Sequence, residues 1–298
     1  MRALLLVCLA ACGAPAAADT KSCSTPFEII TALAKPDLDG RLPGTAGDHK
    51  ARAIIADELT CRGLTVTSQE FDADGGKGKT ANLYATVKGT SDDIVLVTAH
   101  HDHLGHGHLG ANDNASGAAG VIEIAGMMQG HANVEPPKRT MVFVWFGDEE
   151  DGMVGSTYFA KHPPIALDKV VQVVNLDMIG SYKSQGFVAA MGTFKGLAAR
   201  ALADPLIADA KKAGLDIIPG GKARGSDFQP FCDVGIPYVF LWTPDDRCYH
   251  ETCDTPDRID AKHLEPIIGF GRDLVDQLQS TDVDLLAARQ KLGCFGKP

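Results

Sequence analysis

The stretch DIVLVTAHHDHLGHGHLGANDNASG, residues 93–117, holds two patterns back to back. The first, DIVLVTA at 93–99, is a short apolar run rich in β-branched residues, as expected of a strand buried on both faces. The second packs His100, His101, His103, His106 and His108, with Asp102 and Asp113, into positions 100–117. Taken alone, that cluster reads as a polar surface loop. Directly behind a buried strand it also reads as a ligand site, because open α/β sheets bind ligands just beyond the carboxyl ends of their strands. The neighbouring segments discriminate between the two.

Three more apolar runs have the same character: RTMVFVWF at 139–146, KVVQVVNLD at 169–177 and IPYVFLW at 236–242. LTVTSQEF at 64–71 and ANLYATVKG at 81–89 read as further strands joined by a Gly/Lys turn. A helix is expected over about 47–61, where Ala51, Ile54, Ile55 and Leu59 recur at helical spacing before Gly63. Others are expected over NASGAAGVIEIAGMM at 114–128, near GSTYFAKH, and at roughly 262–279 and 282–291. Buried strands alternating with helices specify an α/β fold, a three-layer α/β/α domain around a mostly parallel central mixed sheet. No repeat, low-complexity tract or linker divides the chain, so one domain is expected over residues 19–298.

The residues just past each buried strand are the informative ones. DIVLVTA is followed by His100 and Asp102, and Asp113 lies beyond a Gly-rich loop where the next helix should start. RTMVFVWF leads to Glu149 and Glu150, KVVQVVNL to Asp177, and IPYVFLW, after a short loop, to His250. One such residue at a strand end is ordinarily a solvated loop residue, and GDEEDG by itself reads as an acidic turn. Four strands delivering imidazoles and carboxylates to one sheet edge is a different matter. Nitrogen and oxygen donors without cysteine suit zinc, manganese or cobalt. Two imidazoles and three carboxylates exceed one tetrahedral zinc and suit two metals about 3.5–4 Å apart that share a carboxylate. At a turn, one of Glu149 and Glu150 can ligate while the other takes a proton.

The pieces HHDH, GANDNASG, FGDEEDGMVGS, NLDMIG, GSDFQPF and CYHETCDTPD resemble, in order and spacing over roughly residues 39 to 279, the successive motifs of the M28 family of zinc aminopeptidases. The lead-in DLDGRLPGTAG resembles the family's N-terminal segment as well. The resemblance implies a zinc-peptidase (phosphorylase/hydrolase-like) architecture and two Zn2+ per chain. His100 and Asp177 would hold one zinc, Glu150 and His250 the other, and Asp113 would bridge them. Glu149 would be the general base and acid. Asp102 would accept a hydrogen bond from the other nitrogen of His100. It also implies a cis peptide bond after the bridging residue, here Asp113–Asn114. His101 fills a slot often held by Tyr, and His103, His106 and His108 have no role in the family, so they read as loop residues. One departure stands out: Phe228 follows Asp227 where the family often has His, which touches the substrate pocket and not the ligands. Tyr249 is a candidate for polarising the scissile carbonyl.

The expected activity is removal of the first residue of a peptide with a free N-terminus. Three rivals share the resemblance: a related metallohydrolase such as a carboxypeptidase, a glutaminyl cyclase with one zinc, and a non-enzymatic relative. All five ligand positions are filled, which argues against the last two.

With a net charge of −10, the chain gains no phosphate-driven affinity, so no nucleic-acid partner is expected. MRALLLVCLAACGAPAAADT has one basic residue, a short apolar stretch and then small residues, the form of an export signal too short to span a bilayer. Cleavage after Ala18 gives a signal peptide over 1–18. The LAACG sequence resembles a lipobox, which would instead end the leader at residue 11 and lipidate Cys12 as an anchor. The protein is accordingly expected to be periplasmic, secreted or membrane-anchored, and a monomer. Export makes disulfides the default for Cys23, Cys61, Cys232, Cys248, Cys253 and Cys294. Six cysteines allow fifteen pairings, of which Cys248–Cys253 could close a tight local loop.

Overall fold

The computed structural model describes residues 22–74, 78–181, 187–191, 198–220, 223, 225–243, 247–292 and 294. The leader and Cys12 lie outside the described residues. Among the described residues, eight strands join one sheet: β1 Val66–Asp72, β2 Lys79–Val87, β3 Ile94–His100, β4 Thr140–Phe146, β5 Val170–Leu176, β6 Phe187–Met191, β7 Ile217–Gly220 and β8 Tyr238–Trp242, in the order β1-β2-β4-β3-β5-β8-β6-β7. The central strands β4, β3, β5 and β8 are mutually parallel, while β1, β2 and β6 bring antiparallel pairings at the flanks. The sheet is thus the mixed, centrally parallel one that the apolar runs specify. Every residue of β3, β4 and β5 is buried, which is why those runs show no polar alternation.

Helices α2 Ala46–Cys61, α3 Gly117–Ala132 and α7 Ala261–Ser280 pack one face of the sheet through Ile55, Ile122, Ile268 and Leu274, and α1 Pro26–Leu33 adds Ile30 and Leu33 to the same core by packing on α2, α3 and the Ala111–Ser116 turn. The other face carries α4 Val154–Lys161 and α6 Gln229–Asp233 over a cluster containing Phe146, Phe159, Phe228, Phe231 and Tyr238. Thr25 and Thr45 cap α1 and α2 by accepting the amides of Glu28 and Asp48. Phe228 is fully buried, its ring stacked on Tyr238 with centroids 3.9 Å apart. The position that departs from the family pattern is therefore filled by a core residue. Helices α5 Ala198–Lys212 and α8 Leu285–Leu292 complete the chain.

Three disulfides pair Cys23 with Cys61, Cys232 with Cys294 and Cys248 with Cys253. All six expected cysteines are used, and the local pair is among them. Among the described residues, no helix is long and apolar enough to cross a membrane.

Two helix starts lie later than the sequence expectation: α8 begins at Leu285 and not near 282, and the α3 start bears on the site. Helix α3 begins at Gly117 and not at Asn114, after a wide turn over Ala111–Ser116. Polar side chains in this turn bond across to the end of β5 instead of starting the helix. Asn114 donates to the Leu176 carbonyl at 3.0 Å, and its Oδ1 accepts from the amides of Gly117 and Met178. Asn112 Oδ1 accepts from Gly180, and Ser116 Oγ from Ile179. The GANDNAS and NLDMIG segments are locked together this way, fixing Asp113 relative to Asp177.

Candidate metal centre

The parallel strands bring the expected residues to one edge. His100 is the last residue of β3, and Asp177 directly follows β5, its amide donating to Leu241 of β8 at 3.0 Å. Glu149 and Glu150 lie on the turn after β4, entered through Asp148 at φ +63° and closed by the Gly152 and Met153 amides on the Glu149 carbonyl. His250, at φ +58°, rides the loop that the Cys248–Cys253 disulfide closes. The Asp113–Asn114 peptide bond is cis, as the resemblance implies.

Two groups of donor atoms form around Asp113. His100 Nε2 lies 3.4 Å from Asp113 Oδ1 and 3.4 Å from Asp177 Oδ1. His250 Nε2 lies 3.3 Å from the other Asp113 oxygen, Oδ2, and 2.9 Å from Glu150 Oε2. Separations of 3.3–3.4 Å are long for N–H···O hydrogen bonds. They match the spacing of ligand atoms around zinc, since bonds of about 2.0–2.1 Å at tetrahedral angles put neighbouring ligands about 3.3–3.4 Å apart. His100, Asp113 and Asp177 thus form one candidate metal group, and Asp113 with Glu150 forms the core of a second, beside which both His103 and His250 stand.

The electrostatics point the same way. Burial pushes the His100 imidazole down, but the charge of Asp177 and the contacts with Asp102 and Asp113 outweigh it and raise its pKa well above the usual value. His250 is pushed up to about 10 by Asp113 and Glu150. Burial alone would raise the Asp113 carboxyl, yet the two imidazoles hold it below the ordinary carboxylate range. A site that draws protons onto both imidazoles is short of positive charge, and dications supply it.

The backbone around these ligands is held by groups that coordinate nothing. Arg41 is fully buried and donates to the carbonyls of His101 at 2.7 Å, Leu33 at 2.9 Å, Leu109 at 2.6 Å, Gly110 at 2.9 Å and Asp113 at 3.4 Å. From the other side, Asp254 accepts the amides of Asn112 at 2.8 Å and Asp113 at 2.9 Å. Ser226 donates to Asp177 Oδ2 at 2.7 Å.

Asp102 faces the other nitrogen of His100, as expected, and has a second role besides. Its Oδ1 stands 3.6 Å from His100 Nδ1, beyond hydrogen-bond range, while Oδ2 accepts the amide of Glu149 at 2.9 Å and that of Glu150 at 3.4 Å. It braces the turn that carries both glutamates. Asp227, from GSDFQPF, is buried beside the centre and pushed up to about 7 by that burial. The remaining histidines divide. His106 is exposed and His108 half-buried, as loop residues should be. His101 is buried against the Ala81 carbonyl at 3.0 Å, and His103 is buried against Glu150.

Fold and site together define the class, an α/β protein with a candidate two-metal centre at the carboxyl edge of its sheet. The chain belongs to peptidase family M28, whose family profile matches residues 82–269. Leupeptin-inactivating enzyme 1 of Streptomyces exfoliatus is 30% identical over 263 residues, covering 79% of this chain and 56% of that protein. The chain spans about half the length or less of the curated relatives it matches first. A zinc aminopeptidase from Bacillus subtilis has the same fold at TM-score 0.74 and 17% identity, over 89% of this chain and 97% of that one. So does a glutaminyl cyclase from Porphyromonas gingivalis, at TM-score 0.71 and 21% identity, over 88% of this chain and all of that one.

Proposed function

We propose that this chain is an exported two-zinc aminopeptidase that hydrolyses the first peptide bond of substrates with a free N-terminus. The observation carrying the reading is that the two oxygens of Asp113 face two different histidines, at 3.4 and 3.3 Å. His100, Asp113 and Asp177 would hold one zinc, and Glu150 and His250, with Asp113, the other. Zinc bound there would polarise the scissile carbonyl and acidify the attacking water. Glu149 accepts that water's proton and returns it to the leaving amine. Asp102 keeps Glu149 in place through its amide. Tyr249, half-exposed beside His250, supplies a hydroxyl to the carbonyl oxygen. Burial and the surrounding carboxylates push that hydroxyl up to about 12, so it keeps the proton it donates. Residues 19–298 form one peptidase domain in this reading, and the protein acts as a monomer.

Metal content and substrate end are tested together. The protein should contain about two zinc ions per chain, lose activity to a chelator and regain it with zinc or cobalt. A panel of aminoacyl-nitroanilides should be cleaved, and the same compounds with blocked N-termini should not. One zinc with cyclising activity would favour a glutaminyl cyclase, and cleavage of blocked substrates another amide hydrolase. Full activity in metal-free protein would remove the two-zinc reading.

Export has its own test. Three disulfides that use all six cysteines beyond the leader support an oxidising compartment. Expressed with its leader in a bacterium, the mature protein should begin at Asp19, or at a lipidated Cys12 if the lipobox is read. Mass spectrometry of the N-terminus distinguishes these, and an intact Met1 in the cytoplasm contradicts both.

A further inference from the structure

His103 is fully buried three residues past His100, and the ligand set has no use for it. Its Nδ1 lies 2.6 Å from Glu150 Oε1, while the other oxygen of the same carboxylate, Oε2, lies 2.9 Å from His250 Nε2. The His103 and His250 rings meet edge to face with centroids 6.0 Å apart, so Glu150 is held between two imidazoles. Behind His103 stands Gly110 at φ +60°, where a Cβ would come within 2.6 Å of two carbons of the His103 ring. Only glycine leaves room for that imidazole to lie where it does.

We infer that His103 is a positioning residue for the second metal half-site: its Nδ1–H occupies Glu150 Oε1 and leaves Oε2 as the single ligating oxygen. The inference rests on the two-zinc reading. The distances separate this role from direct ligation. His250 Nε2 faces both Asp113 Oδ2, at 3.3 Å, and Glu150 Oε2, at 2.9 Å, as a ligand shared with those oxygens would. His103 Nδ1 instead meets Glu150 Oε1, the oxygen turned away from His250, at 2.6 Å, the length of a charge-assisted hydrogen bond. The consequence is a mechanical link between the half-sites. The segment that ends β3 supplies His100 to one zinc and, three residues later, sets the carboxylate that holds the other. His103, Asp113 and Glu150 also offer donor atoms within 4.8 Å of one another, so ligation by His103 itself is the rival that the test must separate.

The test uses the full mature protein, stripped of metal and titrated with zinc against a chromophoric chelator. His103→Ala should weaken the second zinc by about 10–100-fold, the usual effect of losing an outer partner of a ligand, with the first zinc unchanged. His103→Asn should restore the second zinc to within several-fold of wild type, because its side-chain amide nitrogen falls near the position of Nδ1 and donates the same bond. Cobalt(II) in the second site should keep its absorption spectrum in His103→Asn. Wild-type binding of both zincs by His103→Ala overturns the assignment. Failure of His103→Asn to rescue, with a cobalt spectrum that has lost a nitrogen ligand, overturns it in favour of direct ligation. A wild-type protein that binds only one zinc overturns the two-zinc reading and this assignment with it.

Discussion

Replacing Glu149 with alanine is expected to lower kcat by about 10²–10⁴-fold while leaving zinc content unchanged. The expectation rests on how differently two adjacent glutamates are used. Glu150 is committed at both oxygens, to His103 at 2.6 Å and His250 at 2.9 Å. Glu149 has its amide fixed by Asp102, and among the described residues its carboxylate makes no hydrogen bond. Burial pushes that carboxyl well above the ordinary range, with Asp227, Asp177 and Glu150 adding to the shift and His100 opposing it. A carboxylate held next to the ligands but committed to none of them is free to take and return a proton. Glu150→Ala should behave otherwise and release the second zinc. Metal analysis beside steady-state kinetics on the two variants decides the matter, and the opposite pattern would exchange the two roles.

What the sequence revealed, and what it hid, follows from physical distinctions. β3, β4 and β5 are legible because both of their faces are buried, so each is written as an unbroken apolar run. The ligands are legible because parallel strands present their carboxyl ends at one edge. The segment β6, α5 and β7 carries no such pattern. Its strands are only five and four residues long at the sheet flank, and α5 contains Pro205, which ordinarily argues against a helix. One member of the histidine cluster departs from the loop expectation: His103 is as buried as His100. A signal for the division was available. Gly105, His106 and Gly107 all have positive φ, and that tight turn carries the chain out to solvent. Histidines before Gly105 stay inside, and those in or after the turn do not. Asp102 Oδ1 faces His100 Nδ1, on the side the sequence places it, but its grip on the Glu149 amide is hidden because hydrogen bonds to backbone amides leave no trace in side-chain spacing.

Arg41→Met is expected to destabilise the protein by roughly 3–5 kcal/mol, the size of effect that follows removal of a buried, fully bonded charge. The Tm should fall by something on the order of 10 °C. The guanidinium has no exposed surface and spends its donors on five main-chain carbonyls from α1, the His101 position and the Leu109–Asp113 turn. Removing it strands those carbonyls away from water, at about 1–3 kcal/mol for each that finds no new partner. Its charge matters as well. Burial lowers the Arg41 pKa, but Asp102, Asp254, Asp113 and Glu150 all act to keep the proton on, so Arg41 is the fixed cation beneath the carboxylates of the centre. Arg41→Lys separates the two contributions. Lysine keeps the charge but cannot span five carbonyls from one planar fork. If geometry dominates, Arg41→Lys should lose most of the Tm that Arg41→Met loses, and both should bind zinc more weakly, because the Leu109–Asp113 turn would lose the guanidinium on its carbonyls while Asp254 and the bonds to the segment after β5 still hold its other side. A lysine variant with wild-type Tm and zinc affinity would reduce Arg41 to a point charge. The contrast is measurable by thermal denaturation of the metal-free protein, where no zinc can hold the turn in place of the missing guanidinium.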